Sequence, residues 1–297
     1  MKIARVTFGN DVLPAVEHAD HWVSAAACGP VGKYADTLDL VLRPDDVRAA
    51  LAQLDVETLV ADGQAVPTAG ASLHQPLVGP RAIVAVGLNY RAHAQEVSVT
   101  WQAPPTPLLF AKWPASMTGP TDPIPVDQAL SKTVDYEVEL AVVIGRQALD
   151  VSEADALDHV AAYAVANDIS ARDIQSSESQ WTRAKSFDGF CPIGPWLTTA
   201  DEVPDPQALD ISCTVNGARL QDSSTEHMIH PVAKLIAYIS RGTTLQPGDL
   251  ILTGTPAGVA MASDDPQWLT PGDTVRSEIQ GLGYLENPVV DRSELRR

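Results

Sequence analysis

The sequence predicts an α+β protein in which β structure dominates, and three features carry that expectation. Short apolar runs with the length and β-branched content of strands recur along the chain, among them AIVAVG at 82 to 87, DYEVELAVVIG at 135 to 145 and AAYAVAN at 161 to 167. Asn216 and Gly217 stand between ISCTV and ARL, the strongest short hairpin signal, because such a turn needs positive φ at its central positions. PGD occurs at 247 to 249 and again at 271 to 273, each time ahead of a strand-like run, whereas helical periodicity is confined to short stretches.

A chain of 297 residues can bury a full core and has room for one large domain plus a small one. Acidic residues outnumber basic ones 38 to 20, and the resulting formal charge of -18 disfavours nucleic acid and anionic membrane surfaces as partners. An anionic substrate therefore needs a local positive site. The three cysteines, Cys28, Cys191 and Cys213, lack CxxC spacing and are odd in number, so neither a disulfide framework nor a zinc site is expected. The N-terminal MKIARVTFGND has no uninterrupted apolar core, and no run approaches the ~18 apolar residues of a membrane helix. A soluble protein of the reducing cytoplasm is the expectation.

Taken in order, residues 3 to 8 alternate apolar Ala4, Val6 and Phe8 with Arg5 and Thr7, which reads as a half-buried strand. Pro44 opens a short helix with Asp45 and Asp46 in its first turn and Val47, Leu51 and Leu54 on one side. Residues 62 to 80 are rich in Gly, Ala and Pro, and the boundary is placed there: a small N-terminal α/β domain over 1 to 75 and a main domain over 76 to 297. After the AIVAVG strand, NYRAHAQE reads as a short helix or ordered loop with His93 and Glu96 at i, i+3, where side chains are neighbours. VTWQAPPTP at 99 to 107 has the look of a lid, and the following PLLFAK run carries Lys112. Ser152 and Asp155 resemble a capping box for a helix whose apolar side is Ala154, Leu157 and Val160. Pro231 opens a helix with Val232, Leu235, Ile236 and Ile239 as its core stripe, and Gly242 ends it.

Chemistry concentrates in the DYEVEL run. On a strand, Glu137 and Glu139 share one face while Val138, Leu140 and Val142 take the other, so two carboxylates stand at the rim of a core. Burying them calls for a basic partner or a hard cation. Asp168 ends the next apolar run, just ahead of a segment dense in Arg172, Asp173, Gln175, Arg183, Lys185 and Asp188. Three carboxylates suit Mg²⁺, Mn²⁺ or Ca²⁺ better than zinc and leave about three coordination positions for substrate and water. An exposed strand face, with the cations in surface salt bridges, is the bland alternative. Two other groups have metal-like spacing, namely Glu17, His18, Asp20 and His21, and separately His227 and His230, but neither has a partner cluster. GLG at 281 to 283 lacks the third glycine and the helix of a dinucleotide site.

Six ordered segments resemble the fumarylacetoacetate hydrolase family: GLNYRAHAQE at 87 to 96, DYEVEL at 135 to 140, NDISARDIQ at 167 to 175, QWTRAKSFDGFCPIGPW at 180 to 196, GDLILTGTPAGV at 248 to 259 and PGDTVRSEIQGLG at 271 to 283. They cover the chain from near residue 78 to its C-terminus; the first 75 residues carry no such motif, and Trp113 separates Lys112 from Pro114 where many relatives join lysine to proline. The resemblance implies a mixed β-sandwich roll, a homodimer, and one Mg²⁺ or Mn²⁺ on Glu137, Glu139 and Asp168. It also implies a water-activating pair in His93 and Glu96, with Arg172, Gln175, Lys185, Lys112 and Thr255 facing a small anionic keto acid. The activity it implies is hydrolysis of a C–C bond in a 2,4-dioxo acid or acylpyruvate through a metal-stabilised pyruvate enolate in which Lys185 shares the charge. Decarboxylation or isomerisation of a related keto or hydroxydienoic acid on the same metal is the second enzyme class. A non-catalytic module that binds metal or keto acid is the third possibility.

Overall fold

The computed structural model describes residues 1–33, 35–97 and 105–296, so most of the expected lid at 99 to 107 lies outside the described residues. Strands dominate, as the sequence predicts. Ten of them follow one another across a large mixed sheet in the order Ala65–Pro67, His21–Ser24, Asp11–His18, Lys2–Phe8, Cys191–Thr199, Val160–Asn167, Val138–Ile144, Leu250–Leu252, Ile83–Gly87 and Leu108–Lys112. The N-terminal strands are thus continuous with the rest of this sheet, through pairing of Ile3 with Leu197. A five-stranded sheet runs in the order Ala218–Ser224, Asp210–Val215, Thr274–Ile279, Gly283–Asp291 and Ile124–Val126.

The Val138–Ile144 strand is buried on both faces, which explains its near-continuous apolar composition. Val138, Leu140 and Val142 enter the core shared with Ile211, Cys213, Val275 and Leu285 of the five-stranded sheet. Ala141 and Val143 join the opposite core, where Leu40, Val41, Val47 and Leu51 of the N-terminal helices pack. Pro44–Leu51 is helical with Asp45 and Asp46 in its first turn, and Val232–Ile239 buries its four-residue stripe.

Two local expectations are corrected. The 135–145 run is not one strand: Val134–Asp135 pairs with Ser170–Ala171, the chain breaks at Tyr136 and Glu137, and the main ladder begins where Val138 faces Asn167. Side chains take over the amides at the break. Tyr136 N donates to Asp135 Oδ1 at 2.9 Å, Glu137 N to Asn167 Oδ1 at 2.8 Å and Val138 N to Gln221 Oε1 at 3.1 Å. The second correction lies at 152–160. Ser152 does bond Asp155, but only a 3-10 turn, Ala156–His159, follows, Leu157 is exposed, and Val160 is already in the next strand. Pairing of Val160 with Ile144 claims the chain before an α-helix can complete a second turn.

Candidate active site

At the rim of the central strands, Glu137, Glu139 and Asp168 come together with one oxygen of each lying within 4.8 Å of the others, and all three are buried. Strand pairing delivers them. Glu137 and Glu139 flank the first residue of the Val138–Ile144 strand, and Asp168 follows the end of Val160–Asn167, its amide donating to Glu137 O at 2.8 Å.

Three cations surround these groups. Arg172 Nη2 reaches Glu137 Oε1 at 2.6 Å, and its Nε reaches Asp135 Oδ2 at 2.8 Å. Lys185 Nζ bridges Glu137 Oε2 at 2.7 Å and Asp168 Oδ2 at 2.6 Å, with Ser170 Oγ at 2.8 Å. Lys112 Nζ contacts Asp168 Oδ1 at 2.6 Å and also donates to the Lys185 carbonyl. Burial works against ionisation of Glu137, but the charges of Arg172 and Lys185 outweigh it and hold that carboxyl well below its ordinary value. Burial likewise opposes the charge on Lys185, and Asp168 and Glu137 reverse that and raise its pKa.

Glu139 is the exception. Among the described residues it pairs with no cation; Gly254 N donates to its Oε2 at 2.7 Å. Burial first, then the charges of Asp168 and Glu137, push its carboxyl well above the usual range. Gly254 can present that amide only because it has no side chain: φ is +98°, and a Cβ would lie 2.6 Å from Asn89 Cβ. When all four carboxyls are ionised, Asp135, Glu137, Glu139 and Asp168 stand against three cations, Lys112, Arg172 and Lys185, which leaves one negative charge in excess. An all-oxygen, buried and under-neutralised cluster fits a hard divalent cation.

The helix Arg91–Val97 supplies the second functional group. His93 is buried, with Nδ1 2.8 Å from Glu96 Oε1, and Gly258 N donates to Glu96 Oε2 at 2.9 Å. A carboxylate only accepts, so Nδ1 carries a proton, and in the neutral imidazole the lone pair is on Nε2. Asn89 fixes where this helix begins, its side chain donating to Thr253 O at 2.7 Å and His230 O at 3.0 Å and accepting from His230 N at 2.8 Å.

A cavity of about 110 Å³ joins the two groups. His93, Glu137, Glu139, Arg172, Gln175, Lys185 and Thr255 line it, together with Leu88, Phe110, Trp181 and Met261. Gln175 Oε1 accepts from Arg172 Nη1 at 3.0 Å, and Thr255 Oγ1 accepts from Gln221 at 2.8 Å. Lys112 and Asp168 stand behind this lining, paired with each other. Among the described residues no other group of three or more ligating side chains forms; Glu17 pairs with Lys2 instead. No helix among them is long and apolar enough to cross a membrane.

Several site residues had no signal of their own in the sequence. Asp135 anchors Arg172 and accepts from Ala260 N at 2.8 Å and Met261 N at 3.1 Å. Asn167 and Gln221 hold the break that turns Glu137 inward. Asp135 and Asn167 adjoin the acidic motifs, so a search for buried neighbours of those motifs could have raised them; Gln221, on the far hairpin, offered no such cue.

Comparison with known proteins places this geometry. Residues 82–290 match the family model for the fumarylacetoacetate (FAA) hydrolase C-terminal domain. The mitochondrial oxaloacetate tautomerase of Xenopus laevis is 46% identical over 221 residues, which are 74% of this chain and 68% of that protein. The fumarylacetoacetate hydrolase of the psychrophile Exiguobacterium antarcticum superposes with a TM-score of 0.84 at 35% identity, covering 98% of this chain and 100% of that one. Maleylpyruvate hydrolase from Sphingobium sp. SYK-6, solved with manganese(II) and pyruvate, superposes with a TM-score of 0.77 at 30% identity over 98% of this chain and 99% of that one. The chain belongs to the fumarylacetoacetate hydrolase family.

Proposed function

We propose that the protein is a divalent-metal-dependent hydrolase that cuts a C–C bond in a 2,4-dioxo acid of the acylpyruvate type. The observation that carries this reading is that buried His93, bonded to Glu96, opens on the same cavity as Glu137 and Glu139. Glu137, Glu139 and Asp168 would hold Mg²⁺ or Mn²⁺, which supplies Lewis acidity toward the oxygens of a 2-oxo acid head.

The chain's own groups do the rest. With Nδ1–H tied to Glu96, His93 Nε2 takes a proton from water as the water oxygen adds to the C4 carbonyl. The C3–C4 bond then breaks, its electron pair passes to C3, and the acyl carbon leaves as a carboxylic acid. Lys185 and Arg172 face the charge that develops on the pyruvate enolate, and the proton held on His93 returns to C3. Water is consumed once and no redox partner is needed.

A second reading is tautomerisation of an oxaloacetate-like acid, and the 46% identity to an oxaloacetate tautomerase supports it. There the same base would move a proton at C3 without water attack. Turnover in ¹⁸O-labelled water separates the two. Label in the departing carboxylic acid, beside stoichiometric pyruvate, is the expected result. Exchange of solvent deuterium into C3 with no C–C cleavage of any acylpyruvate would replace hydrolysis by tautomerisation.

A further inference from the structure

Resting on the 2-oxo acid reading of the cavity, we propose that the distal group of the substrate is uncharged and apolar. The site then selects acylpyruvates with alkyl or aryl tails over 2,4-dioxo diacids, and Trp181 with Phe110 forms the surface that reads the tail.

Among the described residues, the cations that line the cavity are Arg172 and Lys185. Both are committed: Arg172 to Asp135, Glu137 and Gln175, and Lys185 to Glu137 and Asp168. With every ligand carboxyl ionised, as holding a dication requires, the four carboxylates and three cations of the cluster carry one excess negative charge, and Glu96 adds another beside His93. A dication and the single carboxylate of a 2-oxo acid head therefore leave no positive charge over for a second carboxylate. Burying an unpaired carboxylate carries a large penalty.

The rest of the lining is what a tail would meet. Phe110 and Trp181 stand edge to face with ring centroids 5.5 Å apart, and Lys185 Nζ lies 5.0 Å from the Phe110 centroid, so the aromatic surface begins where the charged head ends. Leu88 and Met261 extend it. The one further arginine in that segment, Arg183, pairs with Glu178 and lies over the Phe187 ring. Residues 98–104, SVTWQAP, contain no Lys, Arg or His that could supply a cation. Trp181 also has room made for it. Gly87 adjoins its ring, and a Cβ there would lie 2.6 Å from Trp181 Cζ3.

A matched pair of unreactive ligands tests this by binding, with no need for turnover. Calorimetric titration of Mn²⁺-loaded protein with 2-oxohexanoate and with 2-oxoadipate compares tails that differ only in a terminal carboxylate. The monoacid is expected to bind at least tenfold more tightly. Equal or tighter binding of the diacid overturns the proposal. Trp181→Arg should raise diacid affinity and Trp181→Leu should weaken the monoacid several-fold, while oxalate, which lacks a tail, binds both variants like the parent. Unchanged discrimination in Trp181→Arg with oxalate binding intact removes Trp181 from the role. If neither 2-oxo acid binds, the cavity is not a 2-oxo acid site and this proposal falls with that reading. If the monoacid is preferred as expected but no acylpyruvate is cleaved, only hydrolysis is lost.

Discussion

Lys112 Nζ stands 2.6 Å from Asp168 Oδ1, and both side chains are sealed from solvent. The same ammonium donates to the Lys185 carbonyl, so it ties an acidic ligand candidate to the segment that carries the second lysine. From behind the cavity it contacts both Asp168 and the Lys185 backbone, and the prediction is that it positions them. Lys112→Met keeps the volume and leaves a buried carboxylate short of a partner. Removing one member of such a pair costs about 3–5 kcal/mol. Urea denaturation should show that loss, and Mn²⁺ titration should show weaker binding. A variant as stable as the parent would mean that Lys185 alone suffices for Asp168.

Glu139 differs from Glu137 in forming no ion pair among the described residues, and the same isosteric change should therefore act differently at the two positions. Glu139→Gln replaces a carboxyl whose ionisation the site opposes, so the metal-free protein should melt at or above the parent's temperature. Metal-induced stabilisation should disappear. For a ligand at 100 times its Kd that stabilisation is about 2.7 kcal/mol, large enough to read as a shift in Tm. Glu137→Gln, by contrast, leaves Arg172 and Lys185 short of a carboxylate and should lower stability without any metal present. Retention of the metal shift in Glu139→Gln would remove that residue from the ligand set.

His93→Ala and Glu96→Gln address the pair proposed to activate water. Both should leave the Mn²⁺-induced shift in Tm intact, because neither side chain belongs to the three-carboxylate group. Loss of general-base assistance lowers turnover by roughly 10²–10⁴. His93→Ala should show the larger fall in kcat, with Glu96→Gln falling less because the amide can still accept a bond through its oxygen. Near-normal hydrolysis by His93→Ala would assign the water to another base.

These residues also show how far the sequence could be read. Glu137, Glu139 and Asp168 were legible because strand alternation and two apolar runs ending in carboxylates are local patterns, and the pairing of those runs brings them together. The break that points Glu137 inward was not, since Asn167 and Gln221 hold its amides from 30 and 83 residues away. A lysine at a strand end announces a charge but not its partner: only the resemblance set Lys112 toward the substrate, and its pairing with Asp168 could not be read from the string. Ser152 and Asp155 form the local bond that the capping pattern predicts, yet strand pairing at Val160 overrides the helix. The lesson is one of range. Chemistry written in near neighbours survives folding, whereas orientation set across the sheet does not show in the string.

Gly87 and Trp181 give the most local of the tests. Gly87 ends the Ile83–Gly87 strand, and a methyl group there would sit 2.6 Å from Trp181 Cζ3 and 3.2 Å from Leu108 Cδ2. Trp181 is only partly buried, so its ring is the element that gives way, at the cost of its contact with Phe110. Overpacking of this kind costs about 1–3 kcal/mol when the neighbours are held, and less where a ring can swing aside. Gly87→Ala should therefore raise KM for long-tailed acylpyruvates several-fold with a small change in kcat and in stability. Combining it with Trp181→Leu should add less than the two single effects, because both act on one contact. Strict additivity of the two changes in log KM would show that the glycine acts through something other than the tryptophan.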